Sequence, residues 1–160
     1  MNKTLFKNRV SVEQVEESAD LAPSFGDQGL IPVVTTDINS GDVLMIGYMN
    51  KEALSLTIKT KKAHYWSRSR SKIWKKGETS GLVQNVIELR IDDDQDSLWL
   101  KVDVEGSGAS CHVGYKSCFY RSIPLGKIEN GRKVEMKFLE KEKKFDPEEV
   151  YKGQPNPTKI

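Results

Sequence analysis

Two stretches of the chain alternate apolar and polar positions almost without a break. Residues 86–91 would turn Ile87, Leu89 and Ile91 to one face, and residues 98–104 would do the same with Leu98, Leu100, Val102 and Val104. A period of two belongs to a strand with one buried face, so a pair of strands is predicted with residues 92–96 as their connection. β-rich runs at 31–36 and 42–49, joined by Asn39-Ser40-Gly41-Asp42, read as a hairpin. A helical period follows, in which Asn50 caps residues 51–59 and Ala53, Leu54 and Ile58 share one face. Upstream, Ser11 and Gln14 form a capping-box pattern that predicts a short helix over 12–20, after which Pro23, Gly26 and Gly29 break the chain. Further strands are predicted at 64–67, 118–123 and 133–139. From Lys144 the tail, with Pro147, Pro155 and Pro157, is predicted to lie extended along a surface. Many strands and few helices predict an α+β fold built on a largely antiparallel or mixed β-sheet. One domain over 1–160 is expected: a lead-in at 1–28, a core at 29–122, and a C-terminal strand and extended tail at 123–160.

Composition narrows the class. A content of 37% apolar and 30% charged residues fits a globular chain with a proper core. No apolar run approaches the roughly 20 residues that cross a bilayer, and the first residues lack the apolar stretch of a secretory signal, so a cytoplasmic protein with no membrane partner is expected. Thiols stay reduced there, which favours a metal site over a disulfide for two close cysteines. The net charge of +2 implies no partner, but its distribution is informative. Between Lys59 and Lys76 stand eight Lys or Arg residues and no acid, interleaved with Tyr65, Trp66 and Trp74 and followed by Gly77-Glu78-Thr79-Ser80-Gly81. Cations, hydroxyls and glycine N–H groups suit a phosphorylated ligand, with an aromatic ring near a base. The same segment could track a single-stranded nucleic acid, or be a solvated basic face.

The acidic and sulfur-bearing residues carry the sharper chemistry. Asp92-Asp93-Asp94-Gln95-Asp96 is followed by Cys111-His112 and Cys118, and these are the only cysteines. On an extended segment Asp92, Asp94 and Asp96 would point one way and Asp93 the other. Three carboxylates on one face suit Mg²⁺ or Mn²⁺, whereas two cysteines make a soft half-site for Zn²⁺. A calcium-binding EF-hand does not fit, because its sixth and twelfth positions would be Ser97 and Asp103 rather than Gly and Glu. The bland alternative is an acidic turn that only solvates a hairpin, with the cysteines in the core.

Taken together, Trp66-Ser67-Arg68-Ser69-Arg70, Trp74 to Gly81, the Asp-x-Asp-x-Asp cluster, and Cys111-His112 with Ser117-Cys118-Phe119-Tyr120-Arg121 resemble the phosphoribosyl-AMP cyclohydrolase family, in the family's order, from about residue 29 to 121. The resemblance implies a catalytic core at 29–122 that hydrolyses the N1–C6 bond of the adenine ring in 1-(5-phosphoribosyl)-AMP, the third step of histidine biosynthesis. It implies Zn²⁺ and Mg²⁺ as cofactors and a homodimer that shares zinc ligands across its interface. By that resemblance Asp92, Asp94 and Asp96 are the Mg²⁺ ligands, and Cys111 and Cys118 two Zn²⁺ ligands. Trp66, Ser67, Arg68, Ser69, Arg70, Lys76, Thr79 and Ser80 would bind the substrate, with Trp66 or Tyr65 near the base. His112 and Glu78 are the candidates for proton transfer.

One position departs from the family pattern: Asp93 stands where the usual motif has its first zinc-binding cysteine. A carboxylate is an accepted zinc ligand with the charge of a thiolate, so Asp93 is the favoured replacement. Its harder oxygen lowers zinc affinity and admits Fe²⁺ or Mn²⁺. Otherwise His64 or His112 completes the set, or zinc is lost. Lys75 also stands where the family often has histidine. The alternatives to the cyclohydrolase are a related ring-opening amidohydrolase acting on another purine nucleotide, and a non-catalytic nucleotide- or RNA-binding module; nucleic acid is not the expected partner.

Overall fold

The computed structural model describes residues 5–126 and 129–160. Four strands form one mixed sheet in the order β2-β1-β6-β5, where β1 is Ile31–Asp37, β2 Val43–Met49, β5 Gln84–Ile91 and β6 Leu98–Val104. The β1–β2 and β5–β6 pairs are antiparallel hairpins, while β1 and β6 run parallel at its centre, with Val33 opposite Leu98 and Asp37 opposite Val102. Ile31, Val33, Leu98, Leu100 and Val102 all face the core, as their alternation predicts. Against that face pack Met49, Tyr65 and the helix α2, Lys51–Thr60, whose Asn50 side chain accepts from Ala53 N at 2.8 Å. A small second sheet joins β3, His64–Ser67, to β4, Lys72–Lys75, and its root bonds to β5 through Ala63 N and Gln84 O.

The predicted α+β class and the main hairpins match the structure, and the differences have local causes. Ile87 is exposed (61%), not inward. The pairing slips between Val86 and Glu88, so Ile87 is the extra residue of a β-bulge. Before the bulge Gln84 and Val86 point inward, and after it Leu89 and Ile91 do, so a single phase could not describe the strand. Replacing Ile87 by Ser is therefore expected to change stability by less than about 0.5 kcal/mol, as for other surface substitutions, read as the urea midpoint. A shift as large as that of a core truncation would mean that Ile87 is buried.

On α2, Thr57 takes the core position assigned to Ile58. Its hydroxyl donates to Ala53 O at 2.9 Å and accepts from His64 N at 3.0 Å, so nothing polar is left unmet. The first helix, α1, spans only Val12–Glu17, because Ser18 Oγ donates to Gln14 O at 2.6 Å and accepts from Asp20 N at 3.0 Å. Ser11 does cap it, with Gln14 N donating to Ser11 Oγ at 3.0 Å. Toward the C-terminus, among the described residues, only β7, Arg121–Ser122, and β8, Lys137–Phe138, are paired. Cys118 lies in a turn rather than a strand, held by its N–H to Leu44 O at 2.7 Å. The tail is not wholly extended, since Asp146 caps a short helix α3, Pro147–Val150.

Candidate functional site

Asp92, Asp94 and Asp96 do converge, with one carboxylate oxygen from each lying within 4.8 Å of the others, all exposed. Strand alternation is not what brings them together. They sit in the turn between β5 and β6, where Gln95 takes a left-handed backbone conformation, φ +57°, and is buried. Asp92 Oδ1 accepts from Asp96 N at 2.9 Å and Ser97 N at 3.0 Å, and Asp92 Oδ2 accepts from the Ser97 hydroxyl. Partial burial works against the Asp92 charge, but the bonds from Ser97 and the backbone outweigh it and hold its pKa below the ordinary carboxylate value. For Asp96, the bond from Ser97 favours the charge, yet desolvation and the nearby Asp92 and Asp94 outweigh it and hold the pKa up. Crowded oxygens of this kind are the donor set that Mg²⁺ takes.

Cys111 and Cys118 form the second cluster. Their side chains share a hydrogen bond, which brings the Cys111 thiol down to about 6 against the effect of burial, with help from Val113 N–H and the Lys76 ammonium. Cys118, as the donor of that bond, is pushed up. Two thiols this close, with an ammonium beside them that favours a thiolate, fit a soft cation. The loop that carries them is tied at both ends. Ser110 N donates to Lys116 O at 2.9 Å, and Ser117 Oγ to Val43 O at 2.6 Å. Glu140, from beyond the loop, accepts from Lys116 N at 2.9 Å and Ser117 N at 3.0 Å. Lys76 is buried at this site; its Nζ donates to Ser110 O at 2.6 Å and lies 5.4 Å from the centre of the Trp74 ring. Burial lowers its pKa, and the two thiols oppose that.

His112 is half-buried beside Cys111. Its Nε2 is buried without a hydrogen-bond partner among the described residues, while the Asn156 side chain bonds the ring. Burial holds the ring's pKa down, with the Lys76 charge adding to it and Asn156 opposing. Glu78 is exposed on the turn after β4, as is Thr79, and Ser80 Oγ accepts from Leu82 N at 3.2 Å. Arg68, Ser69 and Arg70 cluster at the tip of the β3–β4 hairpin with Ser67, whose Oγ accepts from Arg70 Nε at 3.2 Å. Arg68 stacks over Tyr48 at 4.2 Å. Trp66 is half-buried. Tyr65 is a core residue, 1% exposed, bonded to Thr35 Oγ1 at 2.7 Å and Gln84 Oε1 at 2.6 Å, so it is not placed to stack on a base.

The two ligand clusters do not meet within one chain. Gln84 opens β5 and its Nε2 donates to Ser110 Oγ at 3.2 Å, next to Cys111, while Asp92 follows the last residue of that strand. At about 3.3 Å per residue, β5 sets them on the order of 20 Å apart. Asp93, exposed beside the α1 groove with Val15 and Ala19, travels with the acidic turn. Among the described residues no third carboxylate, thiol or imidazole joins Cys111 and Cys118 in a ligand cluster, His64 and His112 included. Sequence reasoning overlooked Gln84, Gln95 and Glu140. For Gln95 the signal was available, a neutral amide inside a run of acids.

The fold and site thus define an α+β protein with a cluster of three carboxylates and a pair of thiols at opposite ends of a mixed sheet. The family model described as phosphoribosyl-AMP cyclohydrolase matches residues 45–120. Proteins named phosphoribosyl-AMP cyclohydrolase are similar over most of their length. That of Rhizobium rhizogenes is 52% identical over 139 residues, covering 87% of this chain and 91% of the relative. That of Rhodopseudomonas palustris is 51% identical over 142 residues, 89% and 91% of the two chains. That of Brucella anthropi is 59% identical over 117 residues, 73% and 81%. The chain belongs to the phosphoribosyl-AMP cyclohydrolase family.

Proposed function

We propose that this chain hydrolyses the N1–C6 bond of the adenine ring of 1-(5-phosphoribosyl)-AMP, the third step of histidine biosynthesis, as a cytoplasmic homodimer that uses Zn²⁺ and Mg²⁺. What carries the reading is the 52% identity to a named cyclohydrolase over 87% of the chain. The donor chemistry of the two clusters supports it. Asp92, Asp94 and Asp96 would hold Mg²⁺. Cys111 and Cys118 of one copy, with Asp93 of a second, would hold Zn²⁺, since Asp93 and the thiols of one chain stand at opposite ends of β5. When bound, zinc supplies the Lewis acidity that makes hydroxide available near neutral pH.

The chain's own residues do the rest. Arg68, Arg70, Ser67 and Ser69 offer cations and hydroxyls to phosphate at the hairpin tip, with Thr79 and Ser80 on the next turn. Trp66 offers its ring to the base. Lys76, buried against Ser110, sets a positive charge beside the thiols and is less free to reach a phosphate than the exposed arginines. His112 and Glu78 are the groups to take the nucleophile's proton and to deliver one to the departing N1.

The test is turnover of phosphoribosyl-AMP by metal-stripped protein given Zn²⁺, Mg²⁺, both or neither. Turnover only with both is expected. Tight binding of both metals without turnover would replace the substrate with another purine nucleotide. Binding of neither would favour a nucleotide-binding module.

A further inference from the structure

The turn that carries the three carboxylates is held from outside by the N-terminal segment, through one buried amide. Gln95 is 4% exposed, in the midst of charged and exposed neighbours. Its Oε1 accepts from Ala22 N at 2.8 Å, and its Nε2 donates to Val15 O at 2.9 Å and Asp20 O at 3.0 Å. Its backbone carbonyl accepts from Ser24 N at 2.7 Å. Arg9 adds a fork that donates from Nη2 to Asp94 O at 2.9 Å and from Nη1 to Ala22 O at 2.8 Å. Residues 9–24 therefore grip both Asp94 and Gln95, and they lie well before residue 45, where the family match begins.

The grip opposes two costs. A glutamine at φ +57° is in a region that L side chains other than Asn and Asp rarely adopt. Three carboxylates within 4.8 Å repel one another when no cation is present, which favours opening of the turn. Left-handed Gln95 is also what directs Asp94 and Asp96 toward Asp92, since an extended residue there would send the chain onward as a strand. We propose that Gln95 is a positioning residue for the divalent cation, and that the N-terminal segment acts through it and Arg9 to keep the carboxylate site assembled before the cation arrives. This rests on the reading of Asp92, Asp94 and Asp96 as the Mg²⁺ ligands.

The experiment titrates Mn²⁺, as a paramagnetic stand-in for Mg²⁺, into full-length zinc-loaded protein and follows free Mn²⁺ by electron paramagnetic resonance. Gln95→Gly removes the amide but leaves a residue at ease with positive φ. It should weaken Mn²⁺ binding by about 10-fold or more, the size of effect that lost support of a ligand has elsewhere. Zinc content should fall far less than Mn²⁺ affinity, since of the proposed zinc ligands only Asp93 shares the turn and the two thiols lie at the other end of β5, a split that general destabilisation would not produce. Arg9→Ala, which touches only a surface fork, should weaken Mn²⁺ in the same direction by a smaller factor. Asp94→Asn serves as the reference for the underlying reading. If it lowers Mn²⁺ affinity while folded Gln95→Gly and Arg9→Ala do not, the positioning role is overturned and the ligand assignment stands. If Asp94→Asn leaves affinity unchanged, the carboxylates are not the cation site and the proposal falls with them. Should Gln95→Gly fail to fold, Arg9→Ala decides: a selective loss of Mn²⁺ affinity supports the proposal and unchanged affinity overturns it.

Discussion

Replacing Asp93 by alanine is expected to lower turnover by more than about 100-fold and to yield protein depleted of zinc, because loss of a supporting group alone costs a metal site about 10- to 100-fold. Asp93→Cys, which restores the family's usual thiolate, should keep both zinc and turnover. The alanine protein should still fold, since Asp93 is exposed at the turn and the bonds that hold the turn come from Asp92, Gln95 and Ser97. The distance along β5 adds a second arm. If Asp93 of one copy completes the thiol pair of another, Asp93→Ala and Cys118→Ser proteins, each inactive alone, should regain activity when mixed under conditions that exchange subunits. In a two-fold dimer, random exchange leaves half the dimers mixed with one intact site each, so about a quarter of wild-type activity should return. Full zinc and turnover in Asp93→Ala would remove Asp93 from the ligand set. Zinc-free single variants without recovery on mixing would overturn a site shared between copies and, since Asp93 lies at the far end of β5 from the thiols of its own chain, the ligand role of Asp93 with it.

Gly77→Ala should be the most destabilising small substitution in the chain. Gly77 has φ +86°, and a Cβ there would lie 2.6 Å from Val83 Cα and closer still to Val83 N and Leu82 C. These are backbone atoms and cannot swing aside as a side chain could. The left-handed conformation alone costs a non-glycine residue about 1–2 kcal/mol, and the overlap adds to it. A loss above about 4 kcal/mol is expected, in the range that marks a named structural fault. For a chain of this size that lowers the melting temperature by roughly 10 °C or more in scanning calorimetry. Gly81 provides the contrast, with φ +75° but nothing within 4 Å of a Cβ, so Gly81→Ala should lose only the conformational part. If the two variants melt together, the close approach at Gly77 is not what the fold requires. Lys76 is the neighbour most exposed to that fault, since a shifted Gly77 would draw its ammonium away from Ser110 and the thiols.

Much of the fold could be read from periodicity, because each strand of the main sheet buries one face. β6 keeps a single phase from end to end and was found by it, whereas β1, found from its β-rich composition, buries both Thr35 and Thr36 where its pairing with β2 slips. The bulge at Ile87 hid the phase change in β5, since an inserted residue alters no composition and only a partner strand reveals it. Thr57 deceived for another reason: a hydroxyl satisfied by Ala53 O and His64 N behaves in the core as an apolar group, which no hydropathy scale records. At the site, the residue types were legible while the geometry was not. Asp92, Asp94 and Asp96 do share one place, but a turn with left-handed Gln95 puts them there, not the alternation of a strand. Lys76 belonged by composition to a basic, phosphate-seeking run, yet the fold buries it against the thiol loop. Glu140 and Gln84 hold that loop from positions distant in sequence, and no local pattern points to such bonds.

The parallel pairing of β1 with β6 also sets an order of events during synthesis. Val33 leaves the ribosome long before its partner Leu98 exists. At roughly 5–20 residues per second, the β1–β2 hairpin spends several seconds with one edge of β1 unpaired. For that interval its apolar face is covered by α2, by Phe6, Leu21 and Phe25 of the N-terminal segment, and by whatever has formed of the β3–β4 hairpin. The two middle strands of the finished sheet thus belong to different moments of translation, and the nascent chain carries an open, sticky edge until the second of them arrives.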